Sequence, residues 1–279
     1  MKSPFKRWTL ERLGLIPVFF LSFFPGSYAQ EIIMDPVSIA LGGCYTTSNI
    51  SAGLFNEAAL GIADKLTVHM SHARPFVIKE LGITSISSKF HLFPGNMKIG
   101  MTHYGIPGYQ QINTSLGYGM KLSEMIYAGI GFRYYNTSSL GEWTYLRAIG
   151  ISGGVLVTPG EKTLLAAHII NPITINNYPD YGKIFPSLLS IGIRQEIYES
   201  TAVYSEVMYS SLSKLQLKIA AEYLCFQDVI IRAGYHSNPS SLSFGSGINF
   251  PRFTMDIAFS YSMRIGVIPA LAISYTPGR

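Results

Sequence analysis

From about Leu66 to the carboxy terminus, apolar and polar residues alternate in stretches of roughly 8 to 12 positions, separated by clusters of Gly, Pro, Asn and Ser. A period of two is the pattern of strands with one apolar and one polar face. It predicts strands over 66–72, 81–91, 96–104, 110–121, 126–136, 143–157, 162–170, 187–197, 202–211, 215–224, 228–236, 241–249, 252–262 and 268–276. That makes about 14, an even number, as single-chain barrels of bacterial outer membranes have. Phe93-Pro94-Gly95-Asn96, Thr158-Pro159-Gly160-Glu161 and Ser237-Asn238-Pro239-Ser240 have the residue types of connecting turns. Arg147 and Ile149 fall in one parity class, which predicts a bulge there or a strand that runs past the bilayer.

The two parity classes differ in charge. Towards the carboxy terminus one class reads Leu215, Leu217, Ile219, Ala221, Tyr223, and continues through Ile231, Phe244, Ile257 and Leu271 without an ionised side chain. The other class carries Lys218, Glu222, Asp228, Arg232 and Asp256, and in earlier strands Lys121, Arg133, Arg194 and Glu196. An Arg or Lys facing lipid at mid-depth costs about 2–4 kcal/mol, so a bilayer enforces this partition. A soluble β-sandwich would put its charges on the outer face instead. The nine charged residues are therefore expected to face a lumen, where their mixed signs favour pairing across a narrow, wetted interior over a selectivity ring of one sign. Tyr209, Tyr223, Tyr235, Tyr261 and Tyr275 lie near strand ends and suit interfacial aromatic girdles.

The amino-terminal part does not alternate. Lys2, Lys6, Arg7 and Arg12 precede an apolar run from Leu13 to Phe24 and a small-residue stretch to Ala29, the layout of a cleaved secretory signal peptide. Residues 30–65 follow. Within them Ser48 to Leu60 predicts one or two short helical turns opened by a Ser or Asn cap and broken near Asn56. Such a segment ahead of a barrel can fold back and occlude the lumen. The chain thus divides into a signal peptide (1–29), a hatch (30–65) and an all-β, transmembrane antiparallel barrel (66–279).

Composition agrees. Hydrophobic residues make up 48% and charged ones 13%, with a mean hydropathy of +0.25, whereas soluble domains carry roughly 25% charged residues. Beyond the amino terminus there is no run of the ~20 apolar residues a spanning helix needs, so a closed barrel is the remaining way to satisfy backbone polar groups in lipid. The net charge of +5 falls to +2 when the signal peptide is removed, and with it goes the only support for a nucleic-acid partner.

Candidate chemistry is sparse. Cys44 and Cys225 are expected to remain free thiols. His69, His72, His91, His103 and His168 are scattered, so neither a metal site nor a cofactor is expected. His236-Ser237 brings a Ser and a His together near a strand end, but adjacent strand residues point to opposite faces, so no catalytic residue is assigned. Two other classes compete: a lipid-modifying enzyme with a Ser/His lipase or deacylase site, and an open general porin. The extra hatch segment and the mixed lumen charges oppose the porin.

Ala40-Leu41-Gly42-Gly43, followed after about a dozen residues by Asn56-Glu57-Ala58-Ala59-Leu60, resembles the amino-terminal hatch of the FadL superfamily of outer-membrane barrels. Ile231-Arg232-Ala233-Gly234-Tyr235 and Leu242-Ser243-Phe244-Gly245-Ser246-Gly247 are similar to the penultimate strands of the same group, its PorV/PorQ branch above all. Glu57 stands where the group has Pro, Ala59 where it has Gly and Cys44 where it has Ala. The resemblance implies a plugged 14-strand barrel in the bacterial outer membrane that is not an enzyme. It also implies a role in transport or as an accessory of type IX protein secretion, with outer-membrane lipid, a hydrophobic small molecule or secretion-machinery proteins as partners. Gly42, Gly43, Asn56 and Leu60 are the hatch positions it marks as structural or gating.

Overall fold

A computed structural model of the chain describes residues 34–48, 55–62, 66–106, 108–139, 145–177, 185–263 and 266–277. The expected signal peptide lies outside them. Fourteen antiparallel strands run β1 Thr67–Ala73, β2 Ile83–Leu92, β3 Gly95–Ile106, β4 Tyr109–Lys121, β5 Ile126–Ser139, β6 Tyr145–Gly160 and β7 Thr163–Asn176. They continue as β8 Leu188–Tyr198, β9 Thr201–Ser210, β10 Ser213–Phe226, β11 Val229–Ser237, β12 Ser240–Asn249, β13 Phe253–Ser262 and β14 Gly266–Tyr275. Each pairs with its sequence neighbours, and β1 closes the barrel on β14 from Val68↔Tyr275 to Ala73↔Ala270. Closure leaves no unpaired edge, which is what lets a sheet sit in lipid.

The outward class is the apolar one. Leu217, Ile219, Ile231, Phe244, Ile257 and Leu271 are each half exposed on the outer surface of the isolated chain. The inner face differs from the expected wetted wall. Leu156, Leu164, Ile170, Leu188 and Met208 point inwards and are almost fully buried, because a folded hatch, not water, lies against them.

The connections differ between the two ends. At the end where β1 begins and β14 stops, turns are two to four residues long; at the far end β1–β2, β5–β6 and β7–β8 are joined by 74–82, 140–144 and 177–187. The Thr158-Pro159-Gly160 segment, expected as a turn, instead finishes β6 beside a register shift between Val157 and Gly160. The bulge expected from Arg147 and Ile149 lies across the ladder on β7. There Asn171-Pro172-Ile173 opposes the single residue between Gly150 and Ser152, and Asn171 has φ +51°. Pro172 cannot donate to a ladder, and it falls beyond Ile170↔Leu188, where pairing with β8 has ended. β7 therefore continues to Asn176, paired on one side only, past the expected end at residue 170.

Candidate functional site

The hatch begins with α1 (Pro36–Ala40), a helix the sequence reading did not place. Its signal was Asp35-Pro36: Asp35 Oδ2 accepts from the Val37 and Ser38 N–H groups at 3.1 and 3.3 Å, and Pro36 sits in the first turn, where its missing N–H costs nothing. The other Asp35 oxygen lies 2.9 Å from His69 Nε2, and His69 Nδ1 is 2.8 Å from Ser274 Oγ. This Asp, His and Ser line pins α1 to the β1–β14 seam. The whole helix is buried, packed against β11 to β14.

Gly42 and Gly43 then turn the chain with φ of +64° and +85°, a region that glycine enters without strain. Gly42 also lies flat on the wall, since a Cβ there would come within 2.7 Å of the Tyr235 backbone nitrogen. The next residues meet Glu206 of β9, whose Oε2 accepts from Tyr45 N and Thr46 N, both at 2.9 Å, and from Thr46 Oγ1 at 2.6 Å. Its Oε1 is 2.7 Å from Lys218 Nζ, which also donates to Gly43 O at 2.8 Å and lies 5.0 Å from the Tyr45 ring centroid. One buried carboxylate thus satisfies two hatch N–H groups, a hydroxyl and an ammonium.

Asn56 links the two halves of the hatch. Its Nδ2 donates to Thr46 O at 3.2 Å and its Oδ1 accepts from Ala58 N at 3.1 Å, capping a 3₁₀ turn at Glu57–Gly61. This turn corresponds to the second of the short helical turns expected between Ser48 and Leu60, after the break near Asn56; residues 49–54 lie outside the described set. Leu60 is fully buried, and its carbonyl accepts from Asn96 Nδ2 at 2.6 Å. Glu57 is the second buried hub. Oε1 accepts from Ser152 Oγ at 2.7 Å and Arg133 Nη2 at 3.4 Å, and Oε2 is 2.7 Å from His168 Nε2. Burial opposes its charge, but His168, Lys98 and Ser152 outweigh that and hold the carboxyl down at about 2. Ser152 and His168 both bond to the carboxylate, so they form no nucleophile and base pair.

Inward-facing glycines make the groove in which the hatch lies. Gly117, Gly119, Gly129 and Gly131 of β4 and β5 face Glu57 and Leu60, and Gly234 and Gly245 of β11 and β12 face Leu41, Gly42 and Ala40. A Cβ at Gly129 would sit 2.6 Å from Ala58 N. Gly129→Val is therefore expected to push the turn off the wall and to cost about 1–3 kcal/mol, the range for overpacking. The midpoint of heat-modifiable gel migration measures it, with Gly160→Val as the control, since Gly160 has nothing within 4 Å of its Cβ direction.

The charged residues predicted for the lumen divide into three groups. Arg133 and Lys218 serve the two hubs. Arg194, Glu196, Glu222, Arg232 and Asp256 form a relay along the wall. Arg194 donates to Glu196 at 2.6 Å and to Tyr204 OH at 3.1 Å, Tyr204 donates to Glu222 at 3.2 Å, and Arg232 bridges Glu222 and Asp256 at 2.7 Å each. Lys121 and Asp228 stand apart. Lys121 is the exposed last residue of β4, and Asp228 is exposed in the β10–β11 turn, because β10 runs on to Phe226 through a register shift after Leu224. Sequence reasoning missed Glu57, His168 and Glu206 as site residues. Glu206 was open to the parity rule, being a charge in the inward class of its strand.

Other chemistry is accounted for within the described residues. Cys44 and Cys225 are both unpaired, and burial, with the Glu206 carboxylate adding to it, pushes the Cys44 thiol up. His236 Nε2 is 2.9 Å from Gln216 Oε1, whereas Ser237 Oγ accepts from Leu217 N at 2.8 Å, so the pair is not joined. No group of three His, Cys, Asp or Glu among the described residues could hold a metal ion.

Between the hatch and the far mouth lies a recess of about 220 Å³. Ile39, Gly42 and Gly43 form its floor, Met208 and Ile268 part of its apolar wall, and Ser241, Ser243, Ser260 and Ser262 a hydroxyl-bearing wall.

No protein-family model matches the chain, and no curated protein matches it by sequence. Solved structures do. The CymD monoaromatic hydrocarbon channel shares 13% identity and a TM-score of 0.62 over 87% of this chain and 97% of its own. The Pseudomonas putida toluene transporter TodX shares 12% and 0.61 over 88% and 98%, and a Pseudomonas aeruginosa FadL homologue 10% and 0.62 over 87% and 98%. At these identities the similarity is one of fold. It covers both the hatch and the barrel.

Proposed function

We propose that the protein is a hatch-closed barrel of the bacterial outer membrane that captures a small hydrophobic molecule at its outer mouth and passes it inwards without catalysis. Short turns mark the periplasmic end of such barrels, so the end with the longer connections, where the recess opens, faces outwards. The hatch carries this reading. It is fixed to the wall by Glu57 at β5 to β7 and by Glu206 of β9, and it leaves a partly apolar recess above it, an arrangement suited to blocking ions and seating a solute. The solved barrels of the same fold, by their titles hydrocarbon channels and a toluene transporter, support it.

The test is single-channel recording on the full mature chain in planar bilayers. A closed baseline is expected; stable, large conductance would identify an open porin and overturn the reading. The secretion-accessory reading rests on the motifs around Gly234 and Gly245, yet both glycines already have a structural reason in the hatch they face. Pull-down from native outer membrane separates the two, since an accessory brings secretion-machinery proteins with it and a transporter brings lipid alone.

A further inference from the structure

The recess is lined for a particular kind of solute. We infer that it takes a neutral molecule of about one ring that carries a single hydroxyl or carbonyl group, and that it rejects carboxylates. This deepens the proposed function and rests on it.

Size sets the first limit. A dry cavity of about 150 Å³ holds benzene, so about 220 Å³ suits one ring with a short substituent.

Charge sets the second. Lys218 is the one Lys or Arg among the described lining residues, and it is fully engaged by Glu206, Gly43 O and the Tyr45 ring. Among the described residues a carboxylate entering the recess would meet no other cation, and it would compete with Glu206 for Lys218. The hatch itself would then lose a tie. Buried charge is tolerated only when paired and hydrogen-bonded, so an anion is selected against.

Hydrogen bonding sets the third. Ser243 Oγ donates to Ser260 Oγ at 3.0 Å, which leaves the Ser260 proton free to be donated into the recess. His236 and Gln216 satisfy each other at 2.9 Å, and Gln216 Nε2 donates to Ser213 at 3.2 Å. Among the described residues the polar lining therefore offers hydroxyl groups and no net charge, beside the apolar Met34, Ile39, Met208 and Ile268. A wholly apolar ring would leave the Ser260 proton facing it without compensation.

Fluorine NMR titration of the full mature chain in detergent, with protein-free micelles subtracted, tests this with three matched probes: para-fluorobenzyl alcohol, para-fluorotoluene and para-fluorobenzoate. The alcohol is expected to bind about tenfold or more tightly than the benzoate, and more tightly than the toluene. Ser260→Leu, which fills the recess, is expected to abolish binding, and Ser260→Ala, which keeps the space, to weaken alcohol binding while leaving toluene binding unchanged. Heat-modifiable migration verifies that each variant is folded. Benzoate binding as tight as the alcohol, or alcohol binding indifferent to Ser260→Leu, would overturn the inference and leave the capture reading standing. If none of the three probes binds, the capture reading falls with it.

Discussion

Glu206→Ala is expected to unfasten the first half of the hatch. The carboxylate meets the hatch at Tyr45 N, Thr46 N and Thr46 Oγ1, and the wall at Lys218, so its removal strands two backbone donors and an ammonium in a place closed to solvent. Breaking a buried pair from one side costs about 3–5 kcal/mol, because the surviving charge stays buried without its counterion. Urea denaturation read from folded and unfolded gel bands should show that loss, and planar-bilayer recording should show flickering openings absent from the parent. Glu206→Gln keeps an acceptor for the N–H groups but not the charge opposite Lys218, and is expected to fall between the two. A Glu206→Ala barrel as stable and as silent as the parent would mean that the hatch is held elsewhere.

Deleting residues 36 to 60 should have the largest effect on conductance. The wall that faces the hatch is glycine at Gly117, Gly119, Gly129, Gly131, Gly234 and Gly245, so no side chains wait there to fill the space once the segment is gone. Barrels with clear lumens are aqueous channels, and discrete conductance steps should replace a closed baseline in planar bilayers. Mixed wall charges, among them Arg133, Arg194, Glu222, Arg232 and Asp256, predict weak ion selectivity in the opened form. Heat-modifiable migration checks that the deleted chain still forms a barrel. A folded deletion variant with the conductance of the parent would remove the hatch from any gating role.

Barrel and hatch were not equally legible. Strands announce themselves locally: a period of two, a charge-free class such as Leu215 to Tyr223 and a turn after it suffice to place an element, and all fourteen strands fall where the alternation put them, with ends displaced by a few residues at most sites. β7 ran further because its bulge at Asn171 breaks the period that marks a strand. The inner face was harder to read. Leu156, Leu164 and Ile170 are apolar on the inward side because Ala58, Ala59, Tyr45 and Phe55 pack against them, and nothing in the period of a strand says what will cover its second face. The hubs were harder still. Tyr45 and Glu206 stand 161 positions apart, and Glu57 and His168 111, so neither pairing leaves a trace in spacing. Gly42, Gly43, Asn56 and Leu60 were found through short motifs, whereas Glu57, at the centre of the hatch, had registered only as a departure from one.

The hatch fastens to opposite sides of the barrel: α1 lies against β11 to β14, and the turn at Glu57–Gly61 against β3 to β6. That makes it a crossbar. A ring of fourteen strands has a cross-section that can flatten, and a bar tied by Asp35 at the β1–β14 seam and by Glu57 at β5 to β7 resists it. On the proposed function, lateral pressure from the surrounding lipid would be borne by the same segment that floors the recess, so thickness and tension of the membrane would become inputs to how tightly a solute is held there.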